Sequence, residues 1–195
     1  MIFEYQPRQT PIDAAEAEAL IPQLKTQGEL NEWEEENILS AANWALSDRV
    51  LKRTDPLTED YLFELHRRMF DHTWRWAGKT RTTDKNMGVS FYKIRTELRQ
   101  LLDDVRYWRE NKTFEQDEAA MRFHHRLVTI HLFPNGNGRH ARLATDVFAR
   151  TLGKPIFTWG GANLVSQKNA RAHYLAALKS ADDGDYGPLL KFGRE

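Results

Sequence analysis

The chain has 195 residues, and its 28 basic and 28 acidic side chains cancel at a pI near 7.1. That length is one ordinary domain, or one domain with a short extension, and the charge balance gives no global case for nucleic-acid or membrane binding, so any basic site must be local. Six Trp and ten Phe supply bodies for a packed core, while the lack of cysteine excludes disulfides and cysteine-based metal or nucleophile chemistry.

From the N-terminus, no basic stretch followed by a long apolar run is present, and no apolar segment approaches the ~20 residues of a membrane span. A soluble, cytoplasmic protein is the expectation. Residues 1–12 read as irregular around Pro7 and Pro11, a short helical patch covers 14–24, and Thr26-Gln27-Gly28 breaks it. Residues 30–48 read as a helix, with Trp33, Ile38, Ala42, Ala45 and Leu46 close to helical spacing. Its acidic opening (Glu32, Glu34, Glu35, Glu36) suits a helix N-terminus and reads as a solvated face.

Thr54-Asp55-Pro56-Leu57-Thr58 is a turn offering Thr58 or Asp55 as N-cap. The next helix puts Leu62, Leu65 and Met69 on one side, with His66 a structural or surface histidine, and Trp74-Arg75-Trp76-Ala77-Gly78-Lys79 closes it on a glycine. Residues 80–93 break the helical pattern; rich in Thr, Val and aromatics around Asn86 and Gly88, they read as a small hairpin or extended loop leaning on the helices.

From Thr96 the spacing Leu98, Leu101, Leu102, Val105, Trp108 predicts a helix that Asn111-Lys112-Thr113 ends. Another carries Ala120, Phe123, Leu127 and Ile130 on one face and delivers His131 at its end. Leu143, Ala144, Val147, Phe148 and Leu152 continue a buried stripe, and these helices would form the centre of a bundle. Gly153-Lys154-Pro155 and Gly160-Gly161 mark loops, and a last helix covers about 167–181. The turn 182–187 superficially resembles a calcium loop but lacks the later bidentate acid.

The most informative run is His131-Leu132-Phe133-Pro134-Asn135-Gly136-Asn137-Gly138-Arg139-His140-Ala141-Arg142. A helix ends in a histidine, a Gly/Asn turn follows, and a second helix opens on arginines. The unpaired N–H groups of that second helix point into the turn, where the helix dipole favours an anion. Glycines 136 and 138 let backbone approach a ligand closely, as a phosphate-binding loop requires, and Arg139 and Arg142 share one helical face suited to phosphate oxygens. His131 is the candidate general base, taking a proton from a side-chain hydroxyl that attacks a nucleotide phosphate. Phe133 reads as an apolar anchor, and Asn137 as a cap or a holder of the loop through side-chain-to-backbone bonds. A bare helix-to-helix turn would explain the glycines alone. Four histidines (124, 125, 131, 140) within seventeen residues raise a metal site, but no His-Glu-x-x-His pattern accompanies them, and His124 and His125 read as packed or hydrogen-bonded.

This run resembles the signature of the Fic family: His-x-Phe, any residue, Asp or Glu, Gly or Ala, Asn, Gly or Lys, Arg, two spacers, Arg. Further landmarks occur in order: 37–46, Pro56-Leu57-Thr58 with Leu65-His66-Arg67-Arg68, Ala77-Gly78-Lys79-Thr80-Arg81, and Tyr174, Leu178, Gly184-Asp185. The opening Gly28-Glu29-Leu30-Asn31-Glu32-Trp33-Glu34 also resembles the subgroup called mobile mystery protein B. The resemblance implies a mainly α, Fic-type helical bundle over 30–195, a 1–29 extension, and a small β-hairpin flap beside which a target segment aligns. It implies transfer of AMP from ATP to a hydroxyl of a target protein, with His131 as base. Phe133, Asn135, Gly136, Asn137, Gly138, Arg139 and Arg142 would form the nucleotide and phosphate site, and Lys85, Met87, Gly88, Val89 and Phe91 the flap.

Asn135 stands where the family has an acid that helps bind Mg²⁺ (or Mn²⁺) between phosphates, so metal affinity should fall. Three outcomes stay open: AMP transfer with weaker metal dependence, transfer of another phosphate-containing group as in a phosphotransferase, or a nucleotide-binding module with little turnover. Many Fic proteins are restrained by a helix bearing Ser/Thr, three spacers, Glu, then Gly or Asn. Here Glu36-Asn37 and Glu110-Asn111 end correctly, but Glu32 and Arg106 occupy the Ser/Thr position. The expectation is restraint by a separate protein, as in toxin–antitoxin pairs, an idea that would fail if a glutamate of this chain already held Arg142.

Overall fold

A computed structural model describes residues 12–161 and 167–195, without the side chains of 167–169; the irregular reading of 1–11 falls outside the described residues. The helices are α1 (Ala14–Ala17), α2 (Gln27–Ala45), α3 (Asp48–Leu51), α4 (Glu59–Phe70), α5 (Ile94–Asn111), α6 (Gln116–Ile130), α7 (Asn137–Thr151), α8 (Gln167–Asp182) and α9 (Gly187–Arg194), with a 3₁₀ turn at Phe91–Lys93. Local chemistry starts several of them. The Asp13 and Thr26 side chains each accept from the backbone three residues on, and Glu16 and Glu29 reach back to complete capping boxes. Thr58, one of the two expected caps, accepts from the Tyr61 N–H, while Asp55 holds the preceding turn through Leu57. No helix among the described residues is long and apolar enough to cross a membrane.

The core lies where α4, α5, α6 and α7 meet, as the apolar stripes of these segments require. In α7 every residue from Leu143 to Ala149 is buried, the signature of a helix surrounded on all sides. Phe123 of α6 meets Phe148 of α7 edge-on with ring centroids 5.6 Å apart. The helix that carries His131 and the helix that follows it are thus fixed in the middle of the bundle.

Several expectations are corrected. The inward face of α2 is Leu30, Glu34, Asn37, Ala41 and Ala45, and Trp33 is exposed. Two of those five residues are polar, so apolar spacing finds Ala45 and the flanking Ile38, Ala42 and Leu46 that pack against the core, but misses the polar centre of the face and wrongly adds Trp33. Glu34 leaves the expected solvated face because its carboxylate has an interior partner, the Trp74 indole N–H at 2.7 Å. Helix α4 stops at Phe70, eight residues before the expected glycine. Beyond it the backbone of 73–75 pairs with residues near the N-terminus: Ile21 N–H donates to the Thr73 carbonyl and Arg75 N–H to the Ala19 carbonyl, both at 2.9 Å. The same bonds reduce the helical patch expected at 14–24 to the single turn α1 and form a bridge between Leu20 and Trp74. Helix α9 was not anticipated; it is short, and the proline in its first turn is compatible with a helix start.

No hairpin forms over 80–93; this segment has no strand and ends in the 3₁₀ turn. Its carbonyls find a side chain instead of a facing strand. The guanidinium of Arg81 takes the Thr83 carbonyl at 2.9 Å and that of Val89, while the Phe91 N–H donates to the Asp84 carboxylate at 2.7 Å. A cross-strand ladder would compete for those same groups.

Candidate active site

Helix α6 ends at His131, whose backbone turns into the left-handed region (φ 58°, ψ 66°), and the loop 132–136 reverses the chain into α7. Asn137 holds that loop by a two-way clasp on one residue: its Oδ1 accepts from the Phe133 N–H at 2.9 Å and its Nδ2 donates to the Phe133 carbonyl at 2.8 Å. The N-cap of α7 is Gly136, so Asn137 acts as the loop holder and not as the cap. Gly136 has φ 77°, and a Cβ there would lie 2.6 Å from the Phe70 ring, so both conformation and space demand glycine.

Phe133 is fully buried, stacked on His66 at 3.6 Å and edge-on to Phe63 and His140. It holds the loop from beneath and belongs with the core, away from the ligand side on which the motif resemblance put it. His66 accepts from the Gly78 N–H at Nδ1 and, through Nε2–H, donates to the Asn135 carbonyl at 3.1 Å. Those bonds fix a neutral ring, and burial together with neighbouring His140 pushes its pKa well below 6.5. It is a structural histidine. His124 bonds the Tyr174 hydroxyl at 2.9 Å and His125 the Asp182 carboxylate at 2.8 Å, which decides between the packed and the hydrogen-bonded reading in favour of the latter.

Above the loop opens a cleft of about 1120 Å³ whose lining includes His131, residues 135–138, Arg139 and Arg142. The unpaired N–H groups at the start of α7 belong to this wall, and a Cβ on Gly138 would meet nothing within 4 Å. His131 is only 4% exposed; burial first, then the charges of Arg81 and Lys85, bring its pKa down to about 4. The imidazole is therefore neutral near pH 7, the form a general base needs.

The two arginines differ. Arg139 lies over the Phe70 ring and donates to the Glu34 carboxylate at 2.6 Å. Arg142 lies 4.5 Å over the Tyr174 ring; its Nε meets no acceptor and its guanidinium pairs with no carboxylate of the described residues. Of the flap residues, Met87 and Gly88 line the cleft. Lys85 turns away to ion-pair with Asp13 at 3.1 Å and Glu16 at 2.7 Å. Val89 gives its carbonyl to Arg81, and Phe91 is exposed at the start of the 3₁₀ turn.

The donor set here does not fit a resident magnesium site. Magnesium asks for anionic oxygens, and Asn135 offers a neutral one whose Oδ1 already accepts from the Gly136 N–H at 2.6 Å. The nearby carboxylate of Glu34 is committed to Arg139 and Trp74.

Sequence reasoning missed Glu34 and the ring of Tyr174. Glu34 is hidden in an acidic run, and only its i−4, i+3 and i+7 relation to Leu30, Asn37 and Ala41 hints at burial. Tyr174 stands out in the sequence only as a family landmark, with no role attached to its ring.

The chain matches the Fic/DOC family model over residues 56–149. Protein adenylyltransferase fic-1 of Caenorhabditis briggsae is 32% identical over 146 residues, covering 72% of this chain and 27% of that protein. Protein adenylyltransferase Fic of Aedes aegypti is 27% identical over 158 residues, covering 79% and 30%. The chain thus spans under a third of these relatives' length. Among solved structures, Fic-1 from C. elegans superposes with a TM-score of 0.61 at 26% identity, over 91% of this chain and 51% of that one. BepC, a VirB-translocated effector from Bartonella tribocorum with bound AMPPNP, shares the fold with a TM-score of 0.67 at 18% identity, covering 92% and 96%. With the motif turn, the central helices and these likenesses in agreement, the chain belongs to the Fic/DOC family.

Proposed function

We propose that this chain transfers AMP from ATP to a hydroxyl side chain of a target protein. The observation that carries the reading is a neutral imidazole, His131, in one cleft with the N-terminus of α7 and the guanidinium groups of Arg139 and Arg142. His131 takes the hydroxyl proton; the oxygen forms a bond to the α-phosphorus as the bond to the β-phosphate bridging oxygen breaks, and pyrophosphate leaves. The α7 amides and the arginines neutralise charge that spreads over the phosphate oxygens, and positioning supplies the rest. Adenylyltransferase relatives and an AMPPNP-bound fold neighbour support ATP as the donor. Mg²⁺ or Mn²⁺ would arrive with the nucleotide and be held by its phosphates. The domain so defined runs over 30–195 with 1–29 as an extension, and the cysteine-free chain suits a cytoplasmic setting.

Restraint by a separate antitoxin-like protein belongs to the same proposal. Among the described residues no glutamate holds Arg142, which leaves it for a partner's carboxylate.

Purified protein is incubated with ATP labelled at the α- or the γ-phosphate and a candidate target, beside His131→Ala. Transfer of α-label that falls by at least about 100-fold in the variant supports the reading. Label from the γ-position would replace it with phosphotransfer. Binding without either label would favour a nucleotide-binding module, a second reading that the neutral, already engaged Asn135 oxygen supports.

A further inference from the structure

Among the described residues Arg81 is a buried cation with no buried carboxylate beside it. Its side chain is fully enclosed, and its one ion pair there is with the exposed Asp84 at 3.6 Å. Its donors go instead to backbone carbonyls from two separate parts of the chain. Nε donates to the His131 carbonyl at 2.7 Å and Nη2 reaches that of Ile130 at 3.4 Å, both at the end of α6. Nη1 donates to Thr83 at 2.9 Å and Nη2 to Val89, both in the flap. The Arg81 N–H adds a bond to the Leu132 carbonyl at 3.0 Å. A helix C-terminus leaves carbonyls unpaired and favours a positive charge, so the guanidinium answers both demands at the residue that carries the base.

The same seam is tight sterically. Gly88 has φ 100°, and a Cβ there would lie 2.6 Å from the His131 Cβ and 2.9 Å from Arg81 Nη2. His131 itself holds a left-handed backbone, a conformation that persists in a non-glycine residue only when its surroundings fix it. Arg81 is the group that fixes it from the carbonyl side. One planar fork spans loop and helix end together, which a single ammonium cannot do.

Resting on the nucleotidyl-transfer reading above, we propose that Arg81 is a positioning residue: its guanidinium joins the backbone of His131 to the flap, so that the base and the edge presented to the target hydroxyl are held as one unit. It touches neither substrate. Its effect should fall on the target side of the reaction and spare nucleotide binding, because the α7 amides, Arg139 and Arg142 do not bond to it.

The test compares Arg81→Lys and Arg81→Met with the unaltered full chain, after circular dichroism confirms folding. Hydrogen exchange at 83–89 and at 130–132 is expected to rise together by about 10-fold or more in Arg81→Lys, with the Kd for ATP within twofold. Transfer of α-label should lose about 10- to 100-fold in kcat/KM for the target, the scale of an ångström-sized misplacement of a catalytic group. Arg81→Met removes the charge as well, leaving Lys85 as the named cation near the ring, and the NMR titration of His131 should move up toward 6.5; Arg81→Lys should not move it. Exchange that rises in only one of the two segments, or an unchanged profile in Arg81→Lys, overturns the proposal. A proportional loss of ATP binding overturns it too, by making Arg81 a general stabiliser. Should Arg81→Met fail to fold, Arg81→Lys decides alone. If no chain transfers label, the reaction reading fails while exchange and titration still decide the role of Arg81.

Discussion

The turn after His131 and the loop 80–93 line the same cleft, yet the balance of local and remote bonds that holds each one differs. The turn has a short-range clasp at its centre: Asn137 holds Phe133 four residues back and Gly136 supplies the conformation that starts α7, while His66 adds one remote bond to the Asn135 carbonyl. The flap depends on remote groups: its own Arg81 bonds Thr83 and Val89 but also the carbonyls at the end of α6, Lys85 reaches the Asp13 and Glu16 carboxylates, and Gly88 packs against His131. A short-range clasp can be read from a motif. A long-range one cannot, because its partners lie far away in sequence, 50 residues between Arg81 and His131 and 72 between Lys85 and Asp13.

The contrast can be broken from either side. Asn137→Ala should cost most, because two buried backbone groups of Phe133 lose their partners at about 1–3 kcal/mol each. Thermal or denaturant unfolding reads it, and an unchanged midpoint would mean the clasp is not what holds the turn. Gly88→Ala attacks the other side. Strain at a positive φ and the contact with His131 should remove about 1–3 kcal/mol and slow transfer, leaving ATP binding in place. Isothermal calorimetry beside the label assay separates the two effects.

A pH series sharpens the comparison further. Burial lowers the pKa values of His66, His124, His131 and His140, to about 3 for His124 and about 4 for His131 and His140. From pH 6.5 down to about 4 the unfolded chain therefore binds more protons than the folded one, and stability falls as the pH drops through that window. Asp146, pushed up to about 6 chiefly by burial, acts in the opposite sense between 3.8 and 6, one group against four. Melting temperatures from pH 7 to 4.5 should decline steadily, and a flat profile would contradict neutral burial of these rings.

The smallest effect is expected at Glu34→Gln. The amide oxygen can keep the Trp74 bond while the charge opposing a phosphate at Arg139 is removed. ATP should bind about 2- to 5-fold more tightly, the scale of a partly exposed ion pair. Weaker binding would show that Glu34 holds Arg139 in place for the nucleotide.

The helical core is legible in the amino-acid order alone, since apolar residues recur at helical spacing through α4 to α7 and such spacing has one dominant physical use. The motif turn is legible there too, whereas the choice of Thr58 over Asp55 as cap and the hydrogen bonds of His124 and His125 needed the structure. Tertiary structure decided the features whose partners are remote. It replaced the expected hairpin with a loop around Arg81, ended α4 at Phe70 by pairing 73–75 with the N-terminal segment, and drew Glu34 out of an acidic run to meet Trp74 and Arg139. Local pattern records how a segment can fold alone; a buried charge or carbonyl takes its place only when another part of the chain arrives to satisfy it.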